Sequence, residues 1–258
     1  MTSRQEWEAY LIPGTQTLRN KFVTDAEPYG VSDQKILELL ERGATKFRMV
    51  ELAHNPIDGS FDYDHMKAIH RHIFQDVYEW AGQERTVSMS KAGYRYWPAG
   101  PGLKEAADHR YELLAQGNFL RGLDRESFVS ELAEHWAEIN VVHSFREGNT
   151  RSQFMFFRQL SRQAGWDLDT ARFAHGGPLR EPFVAARFEA QRTGSSEALR
   201  RVLDQAVSPI ESPSNAAAPS EEVLRRLDVY RTGAPAKISP IERDLARRIE
   251  KEERGQER

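Results

Sequence analysis

The chain contains no cysteine among its 258 residues. That excludes disulfides, thiolate zinc sites and cysteine nucleophiles, and it suits a reducing cytosol. Long hydrophobic runs are missing too: no stretch approaches the roughly 20 apolar residues needed to span a bilayer, so no membrane partner is expected. The opening Met1-Thr-Ser-Arg-Gln-Glu-Trp7 has no apolar core behind its first charges and does not read as a secretory signal. Neither sign of charge dominates. Lys and Arg number 36 against 39 Asp and Glu, a net charge of −3, so no overall basic field recruits nucleic acid. Local arginine clusters remain available to phosphate. What is present, 39% hydrophobic and 29% charged residues, is the balance of a globular protein. The length allows one large domain, or a medium domain with an appendage.

Most of the chain has helical periodicity. Over residues 61–82, Ile69, Ile73, Val77 and Ala81 recur at every fourth position, and Phe74, Tyr78 and Trp80 widen the stripe. This predicts one helix that stops at Gly82. A second helix is predicted to start from Asp124 as N-cap and to bury Phe128, Leu132, Trp136 and Ile139. A third runs from about residue 150 to 164, with Phe154, Phe157 and Leu160 inward and Gly165 as its stop. Residues 33–41 and 47–53 read as two shorter helices, and 103–114 as another. Residues 85–98 break the pattern. They alternate in side-chain character around Lys91-Ala-Gly93, which predicts a short β-hairpin. A lone hairpin is marginal in water, so it must lie on the helices, with one edge left free to pair with an extended segment.

The composition changes near Val207. Residues 207–220 have the makeup of a linker, and 221–258 read as a charged, partly helical or disordered tail. The expected organisation is therefore a domain over 1–206, a linker and a tail.

The chemistry concentrates between the second and third helices, in His143-Ser-Phe145-Arg146-Glu147-Gly148-Asn149-Thr150-Arg151. A histidine can accept a proton near neutral pH. A glutamate is a hard oxygen ligand of the kind Mg²⁺ takes alongside phosphates and water. Gly148 permits a sharp turn. Asn149 can cap the third helix, whose first N–H groups favour an anion. Arg151 offers a fork of donors to phosphate, and Phe145 anchors the loop to the core. Each residue alone has a structural explanation: His143 as a helix C-terminal histidine, Glu147 and Arg151 as a surface ion pair, Asn149 as a plain cap. A base, a metal ligand, an anion nest and an arginine within nine residues favour function.

These positions match His-x-Phe-x-(Asp or Glu)-Gly-Asn-x-Arg, and the chain thereby resembles the Fic-domain proteins. The similarity extends beyond the motif. Ile73-Phe-Gln-Asp-Val-Tyr-Glu-Trp-Ala-Gly82 looks like the helix before the family's flap, residues 85–98 like the flap, and Pro13-Gly-Thr-Gln-Thr-Leu-Arg-Asn-Lys21 like the opening segment. The resemblance implies an all-α fold, a Fic helical core with a small β-hairpin. It implies a protein adenylyltransferase that moves AMP from ATP to a Ser, Thr or Tyr hydroxyl of a target protein. His143 would be the base and Glu147 would hold Mg²⁺. Arg146, Gly148, Asn149, Thr150 and Arg151 would bind the nucleotide. The flap residues Ser88, Met89, Ser90 and Lys91 would register the target. It also implies a bacterial toxin or effector in the cytoplasm, or translocated into a host cell, with a small antitoxin as partner. The alternatives are transfer of another nucleotide or of phosphate, or a degenerate binding module.

Two positions depart from the family pattern. Thr150 stands where Gly, or Lys in a phosphorylating branch, is usual, and Phe154 where many relatives carry a second arginine. An inhibitory segment, Ser or Thr followed four residues later by Glu and then Gly or Asn, is not complete anywhere. Thr2 to Glu6, Ser127 to Glu131 and Thr193 to Glu197 are fragments of it, and only the last lies where a C-terminal inhibitory helix would fall. His70 and His72 flank Arg71 on a helix and so point apart. They read as partly exposed helical residues. Trp80, Trp97, Trp136 and Trp166 read as core or hairpin packing, and Lys91 as solvated.

Overall fold

A computed structural model describes residues 3–91 and 93–210. The chain divides into two compact units. One comprises Met1–Arg48 and Phe74–Ala81, the other Met49–Ile73 and Gly82–Ser214, each considered over its described residues.

The first unit opens with α1 (Ser3–Glu8) and a run of turns, and enters α2 (Gln34–His54). Asp33 caps α2, its Oδ1 accepting from the N–H of Lys35 at 2.9 Å and of Ile36 at 3.1 Å. The two short helices expected over 33–53 are one helix. Gly43 sits at its middle with open space where a side chain would be. A single helical glycine costs only about 1 kcal/mol, and buried Leu37 and Leu52 on the same helix outweigh it. The segment 74–81 also departs from expectation. The preceding helix α3 (Tyr63–Phe74) stops at Phe74 rather than at Gly82. The Val77 and Tyr78 N–H groups both return to the Phe74 carbonyl, at 2.9 and 3.0 Å. The carbonyls that would continue the helix are taken by Lys21, whose backbone N–H donates to Val77 at 2.9 Å and whose Nζ donates to Gln75 at 3.0 Å. Val77 and Tyr78 are still buried, so the apolar spacing marked burial correctly and the helix length wrongly.

The second unit holds the remaining elements. The hairpin is β1 (Ser90–Lys91) against β2 (Tyr94–Arg95), antiparallel, pairing Ser90 with Arg95 and Lys91 with Tyr94. Only two residues of each strand pair, far fewer than 85–98 suggested: beyond the Tyr96 N–H bond to Met89, the Trp97 N–H turns to the Val141 carbonyl and the Arg85 N–H to that of Ser144. Next come α4 (Pro101–Gln116), with Pro at its start, then α5 (Arg125–Val142) and α6 (Asn149–Gln163). After β3 (Trp166–Leu168) come α7 (Arg180–Thr193) and α8 (Glu197–Asp204). The strand β4 (Val207–Pro209) then pairs antiparallel with β3. This second strand pair was not expected, and it occupies the first residues of the segment read as linker. The readings made for 211–258 lie outside the described residues.

Helix α5 is central. Asp124 caps it as predicted, accepting from the Ser127 N–H at 2.9 Å. Phe128, Leu132, Trp136 and Ile139 are all buried. Trp136 stacks on Phe157 of α6 at 4.4 Å and meets Phe154 and Phe183 edge-on. Burying large aromatic side chains in this way supplies most of the driving force that packs α5, α6 and α7, and it fixes the loop between α5 and α6. Trp97, by contrast, is 41% exposed and does not belong to the core.

Candidate active site

His143 ends α5. It is the C-cap, in the left-handed conformation at φ 50°, ψ 57°, with its N–H on the Ile139 carbonyl at 3.3 Å. For a residue with a Cβ that conformation is unfavourable by about 1–2 kcal/mol, so the surroundings must hold it. Arg85 does much of this. Its guanidinium is buried and donates to the carbonyls of His143 at 2.7 Å, Val142 at 3.2 Å, Val87 at 2.7 Å and Trp97. Its backbone N–H reaches the Ser144 carbonyl at 2.9 Å, and the Trp97 N–H reaches Val141 at 2.9 Å. The last carbonyls of α5, which lack intrahelical donors, are thus paired with the two ends of the hairpin segment, and a cation sits at the negative end of the helix dipole.

The His143 ring stacks on Tyr96, with centroids 3.6 Å apart and planes 8° from parallel. Nδ1 is buried and makes no full hydrogen bond. Burial, followed by the positive charges of Arg187, Arg85 and Lys91, pushes the imidazole pKa down to about 3, and the Asn140 carbonyl draws it back only in part. The ring is therefore neutral across the physiological range.

The loop is held from beneath by His70, on α3. Its ring stacks on Phe145 at 3.8 Å. The Gly82 N–H donates to Nδ1 at 2.8 Å, so the ring proton is on Nε2, which donates to the Glu147 carbonyl at 2.9 Å. Burial keeps this imidazole neutral as well, with its pKa down to about 3. The expectation that His70 is partly exposed is corrected: it is fully buried. His72 is partly exposed as expected, at 2.9 Å from Glu51.

Asn149 does not cap α6. Gly148 is the N-cap, at φ 84°, a conformation that a side chain would strain. The Asn149 side chain spans the loop instead, accepting from the Phe145 N–H at 2.9 Å and donating to the Phe145 carbonyl at 2.7 Å. The loop carries its own clamp, and the first N–H groups of α6 are left without intrahelical acceptors, as at any helix start. Arg151 lies in this first turn. Glu147 Oε1 accepts from the Gly148 N–H at 2.8 Å and from Arg151 at 3.2 Å. The Glu147 side chain is 45% exposed, so the carboxylate faces solvent and keeps its second oxygen available. No group of three or more acidic, histidine or cysteine side chains placed to hold a metal ion exists among the described residues. A cation at Glu147 would draw its other ligands from phosphates and water, the arrangement Mg²⁺ favours.

The Thr150 side chain is joined to α7. Its Oγ1 accepts from Arg187 Nη1 at 2.9 Å, and the same nitrogen donates to Asn140 Oδ1 at 3.2 Å. Phe154 is core, packed against Trp136, Phe173 and Phe183. On the hairpin, Ser88 Oγ accepts from the Ala99 N–H at 3.1 Å, and the Met89 carbonyl accepts from Tyr96 at 3.1 Å. The Arg95 carbonyl, on the β2 edge, is taken by Gln191 of α7 at 2.9 Å. The β1 edge is the open one, and Ser90 and Lys91 on it are exposed.

The sequence reading missed Arg85, His70 and Arg187. None sits in the motif, and no local spacing marks them; each is brought in by the fold. The segment from Thr193 to Glu197 is not one helix. Gly194 caps α7 in the left-handed conformation at φ 73°, and Glu197 starts α8, bonded to Arg200 at 2.8 and 2.9 Å and to Arg201 at 3.4 Å.

The Fic/DOC family profile matches residues 60–161. A probable protein adenylyltransferase, y4lH of Sinorhizobium fredii, is 38% identical over 162 residues, which cover 62% of this chain and 78% of that protein. The probable protein adenylyltransferase Fic of Salmonella typhimurium is 31% identical over 201 residues, 78% of this chain and 92% of that protein. Protein adenylyltransferase VbhT of Bartonella schoenbuchensis is 39% identical over 143 residues, and the match spans 30% of its length. Among solved structures, the BepC effector of Bartonella tribocorum with bound AMPPNP is similar at a TM-score of 0.69 and 27% identity, covering 79% of this chain and 98% of that one. On the motif, the helical core around it and these similarities, the chain belongs to the Fic/DOC family.

Proposed function

We propose that this protein is an adenylyltransferase that moves AMP from ATP to a hydroxyl side chain of a target protein. The observation that carries the reading is the juxtaposition at the α5–α6 loop. A neutral imidazole at the end of one helix faces the anion-favouring start of the next, with Arg151 and a solvent-facing Glu147 carboxylate beside it. With the ring proton on buried Nδ1, the His143 lone pair lies on Nε2. There it takes the proton from a Ser, Thr or Tyr hydroxyl as that oxygen bonds to the α-phosphorus. The bond from the α-phosphorus to the bridging oxygen breaks and pyrophosphate leaves. The first N–H groups of α6, with Gly148, Asn149 and Arg151, hold the phosphates in line, so that positioning and electrostatics supply most of the rate. Arg146 and Thr150 border the nucleotide. Mg²⁺ at Glu147, when bound, neutralises charge on the phosphates. The open edge of the hairpin, over Ser88, Met89, Ser90 and Lys91, aligns the target segment by strand pairing.

The relatives named as adenylyltransferases and the AMPPNP-bound neighbour support ATP as donor and protein as acceptor. The physiological role we propose is that of a bacterial toxin or effector restrained by a separate small antitoxin. The fragment at Thr193 to Glu197 is broken by Gly194, and its glutamate is already engaged by two arginines. No helix among the described residues is long and apolar enough to cross a membrane.

The test is the intact mass of proteins from a bacterial lysate incubated with the enzyme and Mg·ATP. A mass gain of one AMP on a target supports the reading. A gain of one phosphate makes the enzyme a phosphotransferase. No gain, with ATP bound, makes it a binding module.

A further inference from the structure

Arg187 stands outside the motif, on the third turn of α7, yet its guanidinium reaches the start of α6. Nη1 donates to Asn140 Oδ1 and Thr150 Oγ1, both neutral oxygens. Nε is buried and has no hydrogen-bond partner. Among the described residues no carboxylate pairs with Arg187, and the charge that faces it from its own helix, Arg180, is repulsive. The guanidinium carbon lies over the Phe183 ring at 4.9 Å, a neutral face that supplies no counter-charge. A guanidinium taken largely out of water without a counter-charge is unfavourable. Even its pKa is drawn down to about 10 by burial, with Tyr96 opposing the shift and Arg180 adding to it. Such a group is stabilised by an anion arriving beside it, and the start of α6 is where an anion is favoured.

The placement on α6 indicates which part of the anion. Thr150 and Phe154 are four residues apart and share a helix face. Helical side chains lean toward the N-terminus, so a long side chain at position 154 would end near residue 150. That space is reached here by Arg187, while Phe154 packs against Phe183, the ring under the Arg187 guanidinium. We propose that Arg187 binds the terminal phosphates of the nucleotide donor, supplying from α7 the cation that position 154 does not. Thr150 and Asn140 are its positioning residues: their oxygens hold Nη1 and leave the rest of the fork for phosphate. The proposal rests on the adenylyltransferase reading only in taking ATP as the donor.

The experiment is calorimetric titration of wild type and Arg187→Met with ATP and with AMP, both in Mg²⁺. Met keeps an unbranched apolar side chain that can still pack on Phe183, and it removes the charge and the fork. The expected result is a loss of about tenfold to a hundredfold in ATP affinity, with AMP affinity unchanged. Equal loss for ATP and AMP, or no loss for either, overturns the proposal. If Arg187→Met fails to fold, Arg187→Lys replaces it. Lys retains the charge and loses the fork, so a smaller loss confined to ATP is expected, and an equal loss or none again overturns the proposal. Wild type that binds ATP without transferring AMP removes the adenylyltransferase reading and leaves Arg187 standing. Wild type that does not bind ATP removes both.

Discussion

His143 owes its chemistry to its surroundings rather than to its intrinsic basicity. Burial and the nearby cations Arg187, Arg85 and Lys91 lower its pKa from 6.5 to about 3. A lowered pKa means that the neutral, proton-accepting form is the stable one over the whole range above pH 3, and that protonation sets in only well below the ordinary value. The pH profile of kcat/KM, which reports the free enzyme, is therefore expected to stay flat from pH 7.5 down through 6, without a limb at 6.5. Steady-state rates across that range check it, and an acid limb with a midpoint near 6.5 would place His143 in water rather than beneath Tyr96. Gly148 and Asn149 act at the same scale in a different way. The glycine permits the left-handed turn, and the Asn149 amide closes the loop on Phe145. Both residue types were legible in the sequence; the direction of the Asn149 side chain was not, because a helix cap and a loop clamp draw on the same donor and acceptor atoms.

Among the elements, the hairpin and the end of α5 are joined by one side chain. Arg85 has four carbonyls to satisfy, and Lys has neither the span nor the planar fork to replace it. Arg85→Lys is expected to destabilise the protein by about 3 kcal/mol, since unpaired buried carbonyls cost about 1–3 kcal/mol each. Transfer activity should fall with it, because His143 loses the contact that fixes its backbone. Urea unfolding followed by fluorescence measures the first quantity. A change below about 0.5 kcal/mol, in the range of an ordinary surface substitution, would mean that the clamp is not structural. A second prediction at this scale concerns regulation. Because Gly194 separates Thr193 from Glu197, and Glu197 is bound by Arg200 and Arg201, Glu197→Gly should leave the rate of self-modification unchanged. A many-fold gain would reveal a working internal brake. The helices themselves were readable where one stripe packs on one core, as for α5 and α6. The reading of α3 went wrong at Phe74 because Lys21, more than fifty positions away, takes the carbonyls of the next turn, and no local pattern announces such a bond.

For the whole molecule the same division holds. The motif was legible because its parts are consecutive. The residues that support it, His70, Arg85 and Arg187, come from three other regions and meet it only in the fold. The end of the core was misjudged for a related reason. Val207–Pro209 looked like the start of a linker by composition, yet β4 pairs with β3, and Val207 and Leu168 are buried there. A chain ending at Ile210 should therefore melt several degrees above one ending at Ala206, since losing a strand from a small pair exposes apolar surface worth about 1–3 kcal/mol. Equal melting temperatures would mean that β4 adds nothing to the core.

On the proposed function, His143 and the start of α6 together direct a target hydroxyl to the α-phosphate of ATP. The most direct measurement is the transfer of label to protein from ATP labelled at the α- or at the γ-phosphate, with wild type and His143→Ala compared at equal ATP occupancy. The account predicts label from the α-phosphate alone, reduced by about two to four decades in His143→Ala while ATP binding is retained. Label from the γ-phosphate, or full transfer by His143→Ala, would contradict it.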